Sequence, residues 1–283
     1  MVVDRKHLDL NGQIVFDQIR FKLPLNVKGD MRQEACLFLS LDAEGKLYTC
    51  NGSEEIVAED AILMKCGNYV RHLTSSRIEN ETQEIFLIHF FQGLFESVYK
   101  DELPEFFANS STIENKTYTE KFPLTYLLES YVKSIYFYFD HPSLVTDELL
   151  MLKLKELVIL LVSSDSSGKV KEFFQTFLSP VEYDFKKTIS AHLYEDISLD
   201  ELAFLCNLSL SSFQRKFKET YNDSPAHYFK LKRLEKAAVL LKTEKLSISD
   251  VCYQSGFSAP NYFAKVFKAH YGVSPSQYKR CAP

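Results

Sequence analysis

The sequence predicts an α+β chain: a β-rich first part, a helical segment after it, and an all-α last part that holds two helix-turn-helix motifs. Three observations predict this. Short apolar runs separated by turn residues fill residues 12–92, apolar residues fall at helical spacing from about residue 123 to 162, and seven residues near the end recur at one fixed offset.

The strands come first. Residues 13–25, 35–41, 46–50, 56–57, 61–65 and 83–91 read as strands, with Leu37, Leu39 and Leu41 on one face at period two. Asp42-Ala43-Glu44-Gly45 and Asn51-Gly52 supply residues that accept the positive φ of tight hairpins. A β-sandwich or small barrel follows. The polar run 109–120 reads as a loop.

Helices follow at about 123–138 and 143–162. In the second, Leu150, Leu154, Leu157 and Leu161 recur at i, i+4, i+7 and i+11 and so form one stripe. The stripe suits two arrangements, packing on the preceding strands or pairing with a second copy of the chain. Ser163-Ser164-Asp165-Ser166-Ser167-Gly168 has the composition of a linker, and Ser179-Pro180 offers a cap and first-turn proline for a helix to about His192. The expected divisions are 1–115 for the β-rich domain, 116–168 for a helical dimerisation region and 169–283 for the last domain.

The repeat is the most specific feature. Phe213, Phe217, Lys218, Tyr221, Ser224, Pro225 and Tyr228 recur fifty residues later as Phe263, Phe267, Lys268, Tyr271, Ser274, Pro275 and Tyr278. Upstream the offset is 49 and pairs Leu199 with Ile248, Leu202 with Val251, Ala203 with Cys252, and Leu208 with Phe257, so the second copy carries one extra residue in its turn. Each copy reads as a helix, a sharp turn at Asn207 or Gly256, and a second helix. Asn and Gly are the residue types that best tolerate the left-handed conformation such a turn requires.

In each second helix the paired phenylalanines at i, i+4 should face a core. The opposite face then holds Ser211, Gln214, Arg215 and Lys218 in one copy, and Asn261, Ala264, Lys265 and Lys268 in the other. Gln and Asn can pair with adenine, and Arg or Lys with guanine, in a major groove. A solvated polar face is the plain alternative for one such helix, but two in matching turn motifs favour double-stranded DNA as the partner. Ser224 and Pro225 open a connecting helix to about Lys242, a rod that suits two reading helices entering successive grooves.

Composition limits the rest. Net charge is −5, yet residues 180–283 carry 15 Lys and Arg against 11 Asp and Glu, while residues 1–179 carry 18 against 27. An acidic body joined to a basic end suits a nucleic-acid-binding protein. The six cysteines lack paired spacing and read as buried or incidental thiols, and the seven scattered histidines form no metal or base motif. No catalytic set, cofactor, metal site or membrane span is expected, which makes the chain a cytoplasmic non-enzyme. A metal enzyme with a helical accessory domain and a protein-interaction module are the other readings, separated from the first by bound metal and by salt-dependent DNA binding.

The C-terminal segments "DISLDELAFLCNLSLSSFQRKFKETYNDSPAHYFKLKRLEKAAVLL" and "LSISDVCYQSGFSAPNYFAKVFKAHYGVSPSQYKR" resemble the AraC/XylS family of transcription regulators over about residues 181–280. The resemblance implies DNA binding through both motifs and activation by contact with RNA polymerase. It places the base-reading positions on Ser211, Gln214 and Arg215, and on Pro260, Asn261 and Lys265. Position 265 is often Arg in the family and is Lys here, and Pro260 removes a donor, so the first copy is expected to discriminate more. "ACLFLSLDAEGKLYTCNGSEEIVAEDAILMKCGNYVRHL" resembles the cupin-type β-barrel of family members, which implies effector binding there and dimerisation through the following helices. Only His72 lies near the positions of cupin metal ligands. "DELLMLKLKELVILLV" is similar to the dimerising helix of type III secretion regulators, whose N-terminal domain answers to protein partners. The implied partners are therefore DNA, RNA polymerase, a small-molecule or protein effector, and a second copy of the chain.

Overall fold

A computed structural model describes residues 1–31, 34–76, 82–91, 93–94, 118–176, 183–243 and 245–280. The chain divides into two compact units, residues 1–49 with 54–182, and residues 183–283 with 50–53.

Among the described residues, the first unit contains two antiparallel sheets and three α-helices of eight or more residues. Its strands are β1 Val2–Leu10, β2 Gln13–Phe21, β3 Leu25–Met31, β4 Glu34–Ser40, β5 Ala43–Thr49, β6 Gly52–Ile56, β7 Asp60–Met64, β8 Gly67–Ser76, β9 Gln83–Phe91 and β10 Thr119–Pro123. They pair in the orders β1-β2-β9-β4-β7-β10 and β3-β8-β5-β6. The larger sheet is covered on both sides, which is why β4 is apolar along almost its whole length. Ala35, Leu37 and Leu39 join one core with the helices, while the alternate Cys36 and Phe38 join another with Tyr69 and Leu73 of β8.

Strands β1, β3, β8 and β10 were not expected. The single strand foreseen at residues 13–25 is broken after Phe21 by a turn with a cis Leu23–Pro24 bond, and the chain resumes pairing as β3 along β8. β8 is buried on both faces from Gly67 to Val70, so it lacks the alternation that marks a half-covered strand, and its charged Arg71 lies on the face that carries Tyr69 and Leu73. The end of the expected loop 109–120 belongs to β10, which pairs with β7, and residues 109–117 lie outside those described.

Helix α1 spans Tyr126–Asp140, capped by Thr125, and α2 spans Asp147–Ser164, capped by Thr146. The leucine stripe of α2 does not form a free seam. Leu150, Leu154, Leu157 and Leu161 are at most 5% exposed and pack in the same core as Leu8, Phe16, Phe86 and Ile135. Sheet and helix are hydrophobic on one side each, and the helix stripe finds its partner within the chain. What α2 leaves outside are Leu152 and Ile159, which are 63% and 56% exposed.

The Ser/Gly segment is also not a linker between the units. Ser163 and Ser164 finish α2, Asp165 accepts hydrogen bonds from the amides of Ser167 and Val170, and α3 (Lys169–Thr176) buries Val170, Phe173 and Phe174 in the first unit's core. Those three apolar residues hold the chain to the first unit beyond the Ser-rich turn.

The second unit is helical: α4 Phe185–Ala191, α5 Leu199–Leu205, α6 Leu210–Tyr221, α7 Pro225–Thr243, α8 Ile248–Gln254, α9 Pro260–Tyr271 and α10 Pro275–Arg280. Asp184 caps α4, accepting from the Lys187 amide, while the proposed start at Ser179-Pro180 lies outside the described residues. Two cores form, one around Phe213 and Phe217 and one around Phe263 and Phe267, and α7 passes from the first at Phe229 to the second at Leu234–Leu241.

Candidate nucleic-acid interface

Each motif is built by local capping. Ser198 opens α5 with a reciprocal box, its hydroxyl accepting from the Glu201 amide at 3.2 Å while the Glu201 carboxylate accepts from the Ser198 amide at 2.9 Å. Ser247 and Asp250 repeat the device at α8, at 3.1 and 3.0 Å. The turn then needs a left-handed residue. Asn207 has φ 55° and Gly256 has φ 88°, and in both the next amide reaches back to the small residue on the first helix, Leu208 to the Ala203 carbonyl at 2.9 Å and Phe257 to the Cys252 carbonyl at 3.0 Å.

The second helices also end alike, on left-handed Asn222 and Gly272, whose amides donate to the carbonyls of Lys218 and Lys268. Their starts differ. Ser209 caps α6 through the Ser212 amide at 3.3 Å, whereas α9 follows the extra residue Ser258 and begins at Ala259 with no side-chain cap and Pro260 in its first turn.

Aromatic packing fixes which face points out. Phe213, Phe217, Phe263 and Phe267 are fully buried, and the rings repeat their geometry: Phe217 to Tyr221 and Phe267 to Tyr271 are both 4.6 Å between centroids, while Phe217 to Tyr228 and Phe267 to Tyr278 are 5.4 and 5.3 Å. Ser211, Gln214, Arg215 and Lys218 are consequently exposed on α6, and Asn261, Lys265 and Lys268 on α9; Pro260 and Ala264 are half-buried. Among the described residues, the side chains of Arg215, Lys218, Lys265 and Lys268 form no ion pair. Their donors are available to an outside acceptor.

Three features on this side were not foreseen. Leu210 and Tyr262 stand 38% and 55% exposed on α6 and α9, apolar surface beside the donors. The signal was present for Tyr262, which lies one residue from Asn261 and just before the buried Phe263. A cleft of about 560 Å³ borders α6, lined in part by Gln214, Lys218, Asn222 and Asp223. At its edge Asp223 accepts from His227 at 2.7 Å, and this bond holds the carboxyl below its usual range.

The thiols take no part in the exposed face. Cys36, Cys50, Cys206 and Cys252 are buried, and burial pushes Cys206 up to about 12 and raises Cys252, so neither is a reactive thiolate; Cys281 lies outside the described residues. Among the described residues there is no group of His, Cys, Asp and Glu that could hold a metal ion, and no helix long and apolar enough to cross a membrane.

A capped helix, a left-handed turn and a second helix, repeated on two separate aromatic cores, define a tandem helix-turn-helix protein. Two family profiles match the chain, "Helix-turn-helix domain" over residues 202–280 and "ExsA N-terminal regulatory domain" over residues 35–173. The last part of the chain carries an AraC-type helix-turn-helix domain, and the first unit carries a match to a regulatory domain.

Curated relatives include the "Virulence regulon transcriptional activator VirF" of Yersinia enterocolitica, 27% identical over 138 residues, 49% of each chain. The "HTH-type transcriptional regulator MtrA" of Neisseria gonorrhoeae is 34% identical over 86 residues, 30% of this chain and 29% of that one. The matches reach at most 49% of such relatives' own length. Among solved structures, ToxT from Vibrio cholerae is 15% identical with 94% of each chain covered and a TM-score of 0.38.

Proposed function

We propose that this chain is a sequence-specific DNA-binding transcription regulator that activates its targets in the cytoplasm, under the control of an effector or protein partner at its first unit. The carrying observation is the pair of matched second helices, each held by buried phenylalanines so that unpaired cations and amides face outward. Gln214, Arg215 and Asn261 have the chemistry to read base edges, with Lys265 in the family's arginine position, while Lys218 and Lys268 suit phosphates. Ser211 offers a short hydroxyl donor beside them. The likeness to VirF, a transcriptional activator, supports activation, and contact with RNA polymerase is the route this reading gives it.

Effector control has its own support. A cavity of about 290 Å³ in the first unit, walled by Leu127, Leu128, Leu160, Leu161 and Val170 and edged by Ser and Asp165, is near the lower size of small-molecule sites. With the leucine stripe buried, dimerisation falls to the outer face of α2, where Leu152 and Ile159 lie two turns apart. Division of the chain into a cupin-like sensing domain, a helical dimerisation region and a DNA-binding end stands as part of this reading.

The test is selection of duplexes from a random library by the full chain, followed by binding at several salt concentrations. A common sequence and a log–log salt slope of several ions are expected, since each phosphate neutralised contributes about 0.9 to the slope. Enrichment of no sequence, or binding indifferent to salt, would overturn the reading.

A further inference from the structure

The rod α7 is not the sole tie between the two motifs. The segment between α4 and α5 belongs to the first motif, since Leu193 and Ile197 pack against its phenylalanine core. Its middle lies against the turn of the second motif. A Cβ on Gly256 would sit 2.8 Å from the Tyr194 carbonyl oxygen and 2.9 Å from its Cα, closer than real Cβ atoms come to backbone.

Arg233, halfway along α7, closes this contact. Its Nε donates to the Leu193 carbonyl at 2.9 Å and its Nη2 to the Glu195 carbonyl at 2.8 Å, so one planar guanidinium spans Tyr194. The same Nε is 3.0 Å from the Gly256 Cβ position, and the guanidinium carbon lies 5.9 Å from the Phe229 ring. One turn further along, Lys236 Nζ sits 3.9 Å from the Tyr194 ring centroid. Burial lowers the Arg233 pKa against the pull of Asp196 and Glu195, as expected of a charge withdrawn from water to hold backbone.

From this brace, resting on the DNA-binding reading, we propose that Arg233 is a positioning residue that fixes the angle and separation of α6 and α9, and so makes the protein selective for the spacing between its two DNA boxes. A single helix fixes its two ends along one axis; a second contact, off that axis, removes the remaining hinge. Inserting one base pair between boxes shifts the second by about 3.4 Å and turns it around the duplex. A rigid pair of reading helices cannot follow, and a hinged pair can.

The experiment uses the full chain and a duplex selected by the wild type from a random library, with and without one base pair inserted between the boxes. Wild type should lose about tenfold or more on the insertion, and Arg233→Ala should bind the original weaker but tell the two duplexes apart by less than about threefold. Arg233→Lys, which keeps charge and stem but cannot bridge two carbonyls, should fall between; it decides the matter if the alanine variant does not fold. Lys232→Ala removes a neighbouring charge and should keep the wild-type ratio. If Arg233→Ala melts like wild type and loses affinity equally on both duplexes, or if Arg233→Lys alone is folded and keeps the full wild-type ratio, Arg233 does not set spacing. If the wild type enriches no sequence at all, the DNA-binding reading fails with it.

Discussion

Replacing Leu157 with alanine tests whether the α2 stripe is core or interface. Leu157 is fully buried among residues of β1, β2, β9 and α1, so truncation removes its transfer energy and leaves a cavity, a cost of about 2–5 kcal/mol. Adding Leu154→Ala, one turn away and 5% exposed, brings the loss to about 4–8 kcal/mol after allowing for their shared surroundings. A domain of this size holds about 5–15 kcal/mol, so the double variant should be largely unfolded in its first unit. Leu152→Ser and Ile159→Ser, on the exposed side of the same helix, should each stay within about 0.5 kcal/mol. Urea unfolding followed by circular dichroism gives the energies, and sedimentation gives the association state. A Leu157→Ala variant with an unchanged midpoint that has turned from dimer to monomer would refute the core assignment. The reverse pattern, loss of dimer in the Leu152/Ile159 pair with an unchanged midpoint, is the expected one.

On a selected duplex, Arg215→Ala should cost about 1–3 kcal/mol and relax preference at one base pair, whereas Lys218→Ala should weaken all sequences alike; equal losses on cognate and random DNA would remove Arg215 from the base-reading set. Gly256→Ala should destabilise the second unit by about 1–3 kcal/mol in urea melts, through strain at φ 88° and contact with Tyr194, while Asn207→Gly, at φ 55°, should be near neutral. Hydrogen bonds from His227 and Ser247 hold Asp223 and Asp250 below the ordinary carboxylate value of about 3.9, so their stabilisation is complete above that pH and lost as pH falls through their folded values. The second unit's melting temperature should therefore drop below about pH 4, less steeply in Asp250→Asn; an unchanged slope in that variant would show the capping carboxylate to be inert.

The second unit was legible because its signals are local and stated twice. Capping serines, a left-handed residue and an i, i+4 phenylalanine pair each act within a few residues, and the offset of fifty repeats them. Reading which face points out followed from which face the phenylalanines bury. The first unit was less legible because strand identity depends on what covers each face. β8 buries Asn68 and Val70 on one face and sets charged Arg71 between Tyr69 and Leu73 on the other, so no alternation marks it, and β1 shows mainly polar residues because it lies at the edge of its sheet. The leucine stripe was seen, but periodicity alone gives a face and not the surface that meets it.

The brace shows a different limit. Arg233 bonds the carbonyls of Leu193 and Glu195, forty and thirty-eight residues earlier, and any residue there presents the same carbonyl. No side-chain complementarity between the two ends could have marked the contact in the sequence. The glycine at 256 gave half of it: its matched partner Asn207 explains the left-handed turn, yet asparagine carries a Cβ and tolerates one there. Only the second motif adds the requirement that nothing project toward Tyr194. The two copies share a turn conformation, and the difference between Asn207 and Gly256 records the surface on which the two motifs meet.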